Sequence, residues 1–291
     1  FSQLIRRKGV KQKFLQEDEM KFWIKKEWKE NFTVLGSFTN TKYETFTPLP
    51  SKMYFLDNYK NITNSEIGLY VRYAPNEKTL RSKRKSFHLH SENPVFEASF
   101  SIGLPKIMGS NYNYQKLNLA VSQSFRIPTW GKISYQAYGG KILGNSLPFM
   151  LLYMHPGNEI LYYSKNSFNL MNRFEYISDS YAGINIEHNF EKKLLNILPF
   201  MRKTNMRQFW NVKAVVGNLS KSNKILNLQN FPDYRMYSLH GKSYVEVGTG
   251  FENIFKFFRL DAVWRFAPTK SPAANLKNTY SNFGLFGSFR I

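Results

Sequence analysis

The chain has no cysteine, and this absence excludes several kinds of site. With no Cys among its 291 residues, it can form no disulfide, no thiolate metal site and no cysteine nucleophile. It also lacks a run of about 18 apolar residues, the length that a membrane-spanning helix requires. The longest apolar stretches, such as LPFMLLYM at 147–154, are shorter and interrupted. A helical membrane protein is therefore not expected.

Acidic residues are scarce. Lys and Arg total 41 against 20 Asp and Glu, which gives a formal net charge of +21 and favours a nucleic acid, an anionic lipid or another acidic surface as a neighbour. Single-stranded nucleic acid would require aromatic side chains interleaved with Lys and Arg on one exposed face. The clearest strand patterns separate the two kinds of residue, so we expect lipid contact and no nucleic-acid partner.

What the sequence does contain is a two-residue alternation. In FFRLDAVWRF, Phe258, Leu260 and Trp264 share one face, while Arg259, Asp261 and Arg265 share the other. Several segments of this kind exceed the roughly 9–11 residues that cross a bilayer as a tilted strand. The pattern predicts an all-β fold, an antiparallel transmembrane β-barrel that forms one domain over residues 1–291. Turn signals predict about twelve strands, near 13–28, 31–46, 64–74, 94–104, 112–127, 131–144, 167–178, 180–190, 203–217, 242–252, 255–267 and 281–291.

Charged residues fall on the polar parity of these strands and predict a network that faces the barrel lumen. They could line a pore or carry a substrate, but charges of both signs on neighbouring strands more often pair and brace the wall. The predicted network comprises Arg173, Glu175, Glu187, Lys213, Glu246, Arg259, Asp261 and Arg265.

Few residues suit catalysis or metal binding. His88 and His90 form an HxH pair without an indicated third ligand. Asp179, Ser180 and His188 resemble hydrolase components in type only, because His188 shares the parity of Ile184 and Ile186. We therefore expect no metal site, no cofactor and no enzymatic activity.

Several segments in order resemble a family of Bacteroidota outer-membrane proteins of unknown function. They are PFMLLYMHPGN (148–158), FNLMNRFEYISDSYAGINIEHNF (168–190), LLNILPFMRKTNMRQ (194–208) and YVEVGTGFENIFKFFRLDAVWRF (244–266). The resemblance covers most of the chain from about Asn64 onward. Members of that family look like a carboxypeptidase-regulatory-like domain followed by a β-barrel distantly similar to surface-antigen assembly barrels. The resemblance implies that this chain is the C-terminal part of a longer barrel protein.

The chain ends in NFGLFGSFRI, where Phe283, Leu285, Phe289 and Ile291 share one parity. The resemblance implies that these four residues form a C-terminal assembly signal, although such strands usually end in an aromatic residue rather than Ile. It also implies location in the outer membrane of a Gram-negative bacterium. An open edge before residue 13 would then pair with missing N-terminal strands or with another outer-membrane protein.

The function predicted on this basis is a non-enzymatic envelope scaffold or an assembly or transport component, with outer-membrane lipid and a multi-protein envelope complex among its expected partners. The alternatives are a pore and an outer-membrane hydrolase. If the terminal strand ends in the periplasm, counting strands backwards places 268–280, 218–241 and 75–93 outside. The same count places 253–254, 191–202 and 145–166 on the periplasmic side.

Overall fold

A computed structural model describes residues 14–28, 31–46, 49, 62–81, 86–88, 92–229, 236–269 and 282–289. The strands in these ranges are β1 (Leu15–Glu27), β2 (Phe32–Thr45), β3 (Ile62–Tyr73), β4 (Thr79–Arg81), β5 (Ser86–His88), β6 (Val95–Gly103), β7 (Tyr114–Ile127), β8 (Gly131–Leu143), β9 (Tyr153–Met154), β10 (Ile177–Ser178), β11 (Ser180–Asn189), β12 (Arg207–Asn218), β13 (Ser243–Ile254), β14 (Phe258–Ala267) and β15 (Phe283–Phe289).

Among the residues that the structure describes, helical structure is confined to the connections. There are 3₁₀ turns at Phe149–Leu151, Leu195–Ile197 and Pro199–Met201, an α-helical turn α1 at Lys221–Lys224, and a π-helical turn at Ile225–Gln229. Within the described ranges, no helix has the length and apolar character needed to cross a membrane.

Eleven strands form one antiparallel sheet in the order β1-β2-β3-β6-β7-β8-β11-β12-β13-β14-β15, and the short strands form two separate pairs, β4 with β5 and β9 with β10. The predicted all-β antiparallel architecture is confirmed. Across the described residues, β1 and β15 are the two edges of this sheet and are not paired with each other. The described strands therefore form a barrel-like wall whose two edge strands are not joined to each other.

The register sorts the residues into two faces. One cross-strand row runs Tyr135, Ile186, Val212, Val247, Trp264, Phe283, and the adjacent row on the other face runs Ser122, Gln136, Asn185, Lys213, Glu246, Arg265. Because neighbouring residues of a strand point to opposite faces, one face of this half of the sheet is apolar and the other is polar. We call them the outer face and the inner face.

The strand predicted at 167–178 is wrong. Only its end, β10, is a strand, and it pairs with β9 rather than with the large sheet. Residues of both parities are buried there, including Phe168, Leu170 and Met171, and Phe174 has a positive φ of 54°. Such a segment cannot present one apolar face, so it folds instead as part of a connector, residues 144–179, that lies against the inner face.

Because the strand predicted at 167–178 is absent from the large sheet, several connections lie at a different end of the sheet from the one predicted. The connector 144–179 lies at the same end of the sheet as 219–242: Asn223 Oδ1 accepts a hydrogen bond of 2.9 Å from Leu147 N, and Tyr237 O accepts one of 3.0 Å from Ile177 N. The segments 145–166 and 191–202 are therefore at opposite ends, and 75–93 moves to the end that holds 191–202. The predicted assignment of 145–166 and 75–93 relative to the other connections is wrong.

The tight connection predicted between β7 and β8 is present. Thr129 and Gly131 have φ values of 68° and 95°, a region that favours glycine. A Cβ atom on Gly131 would lie 2.1 Å from Asn189 O, so a larger residue would displace the neighbouring β11 end. We call the end of the sheet that holds this turn, 191–206 and 255–257 the short-turn rim.

Candidate functional site: the charged inner face

The carboxylate of Glu246 fixes the connector onto β13. Its two oxygens accept hydrogen bonds from Asn169 N at 2.7 Å, Leu170 N at 2.8 Å and the Tyr244 hydroxyl at 2.7 Å. Glu246 is buried. A buried carboxylate is costly unless its lone pairs are used, and here backbone N–H groups of the connector use them.

Lys213 on β12 holds the preceding part of the connector. Its Nζ donates hydrogen bonds to Ser164 O at 2.8 Å and Ser167 O at 2.7 Å, and it lies 4.8 Å from the ring centroid of Tyr163. Lys213 also stands directly opposite Glu246 in the β12–β13 register. The two oppositely charged residues therefore hold neighbouring stretches of the same loop.

Arg259 on β14 is the centre of a second buried cluster. Its guanidinium donates two hydrogen bonds to the Asp261 carboxylate, at 2.9 and 2.8 Å, and one of 2.8 Å to Glu187. It also lies 3.7 Å from the ring centroid of Phe209 and 4.7 Å from that of Tyr163. The charge is thus enclosed by carboxylates and aromatic faces, an arrangement suited to Arg.

Arg265 and Glu175 form the third contact, between β14 and the connector. Arg265 Nη1 lies 3.7 Å from Glu175 Oε1, and Nη2 donates to Leu170 O. Glu175 also accepts a 2.6 Å hydrogen bond from Asn172 N. Glu175 therefore belongs to the connector and not, as predicted, to a wall strand.

The structure brings seven of the eight predicted network residues to the inner face or to the connector against it. Arg173 is the exception: it is exposed in a turn of the connector, because the strand that would have turned it inward does not exist. Sequence reasoning missed the connector groups that the network holds, notably Tyr163, Asn169 and the Leu170 N–H. The burial of Met171 and Ile177 on the parity opposite to Phe168 and Leu170 is the signal that indicates a packed loop.

The same connector also reaches the outer edge of the last strand. Gly287 N donates to Leu161 O at 3.0 Å, Tyr163 N donates to Gly287 O at 2.9 Å, and the Tyr162 hydroxyl donates to Phe289 O at 3.2 Å. These bonds form a parallel bridge between Tyr162 and Gly287. Part of the β15 edge is therefore occupied by the chain itself.

Three residues of the predicted assembly signal lie on the outer face of β15. Phe283, Leu285 and Phe289 are all exposed, in keeping with their shared parity. Ile291 lies outside the described residues.

Beside the connector, the inner face leaves a polar cavity of about 450 Å³. Hydroxyl and amide side chains of β7, β8, β11 and β12 line it, including Ser122, Ser134, Gln136, Asn185 and Asn211, together with Lys165 of the connector. The inner face is thus filled on the side of β13 to β15, while the cavity borders residues 122–124 of β7 and 132–136 of β8, the halves of these strands nearer the short-turn rim.

The residues suggested for hydrolysis do not form a triad: Ser180 Oγ donates to Asp179 Oδ1 at 3.4 Å, but His188 is remote from both. Asp179 accepts hydrogen bonds from Ser220 N and Asn223 Nδ2 at the connector end of β11, at 2.7 and 3.1 Å. His188 Nε2 pairs with Trp130 O at 2.8 Å at the short-turn rim. With a rise of roughly 3.3 Å per residue, the strand separates Ser180 from His188 by about 26 Å.

A serine–histidine contact that the sequence did not suggest occurs inside the connector. His155 Nε2 and Ser178 Oγ are 2.9 Å apart, and both residues are buried. Burial lowers the pKa of His155 to about 4, so its imidazole is neutral near pH 7. A substrate cannot reach a fully buried Ser178 hydroxyl, and the contact fits a role in packing.

The described residues do not bring together a set of ligands for a metal ion. Groups of three or more His, Asp or Glu side chains that could hold a metal ion are absent from the described ranges. His88 ends β5, and His90 lies outside those ranges. The HxH pair therefore stays a sequence-based hypothesis.

Comparison with known proteins places this wall in a class. The crystal structure of BamA from Haemophilus ducreyi lacking POTRA domains 1-3 has a similar fold, with a TM-score of 0.54 and 14% sequence identity. The match covers 96% of this chain and 55% of that chain, so the chain spans about half the length of this structural relative. At this identity the likeness shows the fold alone: an antiparallel sheet similar to the BamA barrel.

The particular family follows from the sequence. Residues 13–223 match the family described as "Family of unknown function (DUF5686) C-terminal domain", and the chain belongs to this family. The match begins before Asn64, where the resemblance begins, and ends before the 244–266 segment. No curated protein matches the chain.

Proposed function

We propose that the chain forms part of a β-barrel in the outer membrane of a Gram-negative bacterium of the Bacteroidota. In this proposal it acts without enzymatic activity, as an envelope scaffold or as a component of an assembly or transport complex. The separation of the two faces carries the proposal. Trp264 and Phe266 are exposed on the outer face, while Arg259, Asp261 and Arg265 on the same strand are buried, as lipid on one side and polar contacts on the other require.

The fold likeness supports the location, since BamA is an outer-membrane protein. The connector supports a scaffold role more than an empty tube, because buried charges tie it to three strands of the wall, β12, β13 and β14, and leave it little freedom to move away. The C-terminal strand exposes three apolar residues on its outer face, which suits a strand that contacts lipid.

Membrane fractionation of cells that express the chain with its native flanking sequence tests this proposal. We expect the protein in the outer-membrane fraction, extractable only with detergent, with a β-rich circular dichroism spectrum and a gel mobility that changes on heating. A monodisperse protein in detergent-free buffer would contradict it.

The β1 edge provides the proposed partner site. Phe22, Trp23 and Ile24 of this strand are exposed on both faces. No described strand pairs with the outer edge of β1, and such an edge is a template for another strand. The proposed occupant is either further strands of a longer protein or another outer-membrane protein. Photo-crosslinking from position 23 in cells, followed by mass spectrometry, identifies it; crosslinks to lipid alone would contradict a protein neighbour.

The polar cavity favours a pore as the second candidate. A volume of about 450 Å³ next to β7 and β8 suits water and small solutes, but a conducting path requires that it continue past the connector. Planar-bilayer recording decides: steady single-channel currents support a pore, and an electrically silent insertion contradicts it.

A further inference from the structure

Residues 191–203, which we call the rim segment, connect β11 to β12 at the short-turn rim. Their backbone folds mainly on itself: Asn196 N donates to Lys192 O at 2.8 Å, Leu198 N to Leu195 O at 3.1 Å, and Met201 N to Leu198 O at 3.0 Å. Two side-chain hydrogen bonds close the loop: Lys192 Nζ donates to Asn205 Oδ1, and Arg202 Nε donates to the backbone oxygen of Asn196. The segment is therefore an ordered compact unit, and its side chains have defined directions.

Within the part of the chain that the structure describes, most of its apolar side chains are left uncovered. Leu195 is buried, whereas Ile197 and Phe200 are each 71% exposed, and Leu194 and Leu198 are also exposed. Ordering a loop so that four large apolar side chains meet water is unfavourable. An apolar environment at this position would remove that cost.

Basic residues surround this apolar surface. Lys192, Lys193, Arg202 and Lys203 flank it, against the single acidic Glu191. Glu191 itself lies 3.3 Å from Arg126 of β7. The surface thus combines an apolar centre with positive ends, which complements acyl chains below anionic headgroups.

Neighbouring turns at the same rim present apolar side chains in the same way. Phe255 is 82% exposed, and Trp130 and Phe257 are exposed too. Asn253 Nδ2 donates to Asn205 O at 2.6 Å and joins the end of β13 to the residues that directly follow the rim segment. The exposed apolar surface therefore extends over three connections: β7–β8, β11–β12 and β13–β14.

We propose that the rim segment is an interfacial anchor that inserts Ile197 and Phe200 into the membrane surface and binds anionic lipid headgroups through its basic ends. This inference rests on the proposed outer-membrane location and adds a second kind of lipid contact to that of the strands. Its occupant is the lipid leaflet at the short-turn rim.

The absence of cysteine allows a direct test. Single-cysteine variants Phe200→Cys, Phe266→Cys and Asn166→Cys of the full chain carry an environment-sensitive fluorophore and are reconstituted into phosphatidylcholine vesicles with and without phosphatidylglycerol. Phe266→Cys reports strand insertion, because this side chain is exposed on the outer face of β14. Asn166→Cys is the water-exposed control on the connector. Lipids with a nitroxide near the headgroup or near the chain end measure depth.

We expect the Phe200→Cys label to shift to the blue, with stronger quenching by the shallow nitroxide than by the deep one. The shift should grow when phosphatidylglycerol is present, and Lys193→Glu with Lys203→Glu should abolish that growth. A Phe200→Cys label that is as unquenched as the Asn166→Cys label, while the Phe266→Cys label is quenched, would overturn the anchor and leave the barrel intact. An unquenched Phe266→Cys label would overturn both. A phosphatidylglycerol-independent shift would overturn the headgroup part.

Discussion

β1 and β14 are long antiparallel strands of one sheet, yet they differ in what covers them. In β1 every residue from 16 to 26 is exposed, so the described part of the chain covers neither face of this stretch. In β14 four alternate residues, Arg259, Asp261, Val263 and Arg265, are at most 3% exposed. The difference comes from the connector 144–179, which covers the inner face of the C-terminal strands and leaves residues 16 to 26 of β1 exposed. Burial in this wall is therefore a property of the loop as much as of the strands.

The largest effect is expected where one side chain holds that loop. Glu246→Ala leaves Asn169 N, Leu170 N and the Tyr244 hydroxyl without their acceptor, and breaking a buried charged contact costs roughly 3–5 kcal/mol. Glu246→Gln keeps one carbonyl oxygen and should cost roughly 1–3 kcal/mol. Guanidinium unfolding in detergent measures both values. Equal stability of both variants and the wild type would show that the connector is not held by this carboxylate.

The outer face is tested by Trp264→Lys. A cation on the lipid face costs roughly 2–4 kcal/mol near the midplane and about 0–1 kcal/mol near the interface, so Phe266→Lys, closer to the strand end, is the matched variant with the smaller loss. Folding yield into vesicles measures the difference. A wild-type yield for Trp264→Lys would mean that this face does not contact lipid.

Acid should loosen the connector through His155. Its pKa in the folded protein is lowered to about 4 from its usual 6.5 because of burial, so its contribution is fully present above pH 6.5 and is lost as the pH falls through 4. The loss can reach roughly 3 kcal/mol. Unfolding curves at several pH values measure it, and His155→Gln should remove this part of the pH dependence. An unchanged slope in that variant would contradict the assignment.

A moderate effect is expected for Arg265→Gln. Arg265 is paired across the inner face, since its Nη1 lies 3.7 Å from Glu175 Oε1. Losing that partner and the bond to Leu170 O should cost roughly 1–3 kcal/mol. Arg173→Gln is the control from the same predicted network: Arg173 is exposed, so its change should stay within about 0.5 kcal/mol. Similar losses for both would undermine the distinction.

The smallest effect is expected in β1. Ile24→Ser alters a side chain that is 82% exposed and should change the stability of the isolated chain by less than about 0.5 kcal/mol. Thermal unfolding in detergent measures this value. A loss above about 1 kcal/mol is typical of buried positions. It would show that another part of this chain packs against β1.

The sequence predicts the wall well because a pleated strand with two environments must alternate. The faces of β12 to β15 follow from parity alone, and so do the inward positions of Lys213, Glu246 and Arg259. The alternation of SFNLMNRFEYIS is similar, broken at Met171 and Ile177, yet this segment is a packed loop. Parity cannot distinguish a strand from a loop whose two sides are both buried, and the error moved 145–166 to the wrong end of the sheet.

The contacts within the site were less accessible to sequence reasoning. Glu246 was predicted to face inward, but its partners Asn169 N and Leu170 N are backbone groups 77 and 76 residues away, and no residue type marks them. Tyr163 resembles any other aromatic residue until Arg259 and Lys213 are found beside its ring. Such contacts depend on the path of the connector, which local patterns do not encode.

Hydrogen exchange on the full chain in lipid nanodiscs tests the central claim, that the connector fills the inner face of a membrane-embedded wall. We predict that the amides of Asn169 and Leu170, bonded to Glu246, and that of Tyr163, bonded to Gly287 O, exchange as slowly as those in the middle of β13. Glu246→Ala should accelerate the Asn169 and Leu170 amides while leaving β7 and β8 unchanged. Exchange of all three amides at the rate of an open loop in the wild-type chain would contradict the account.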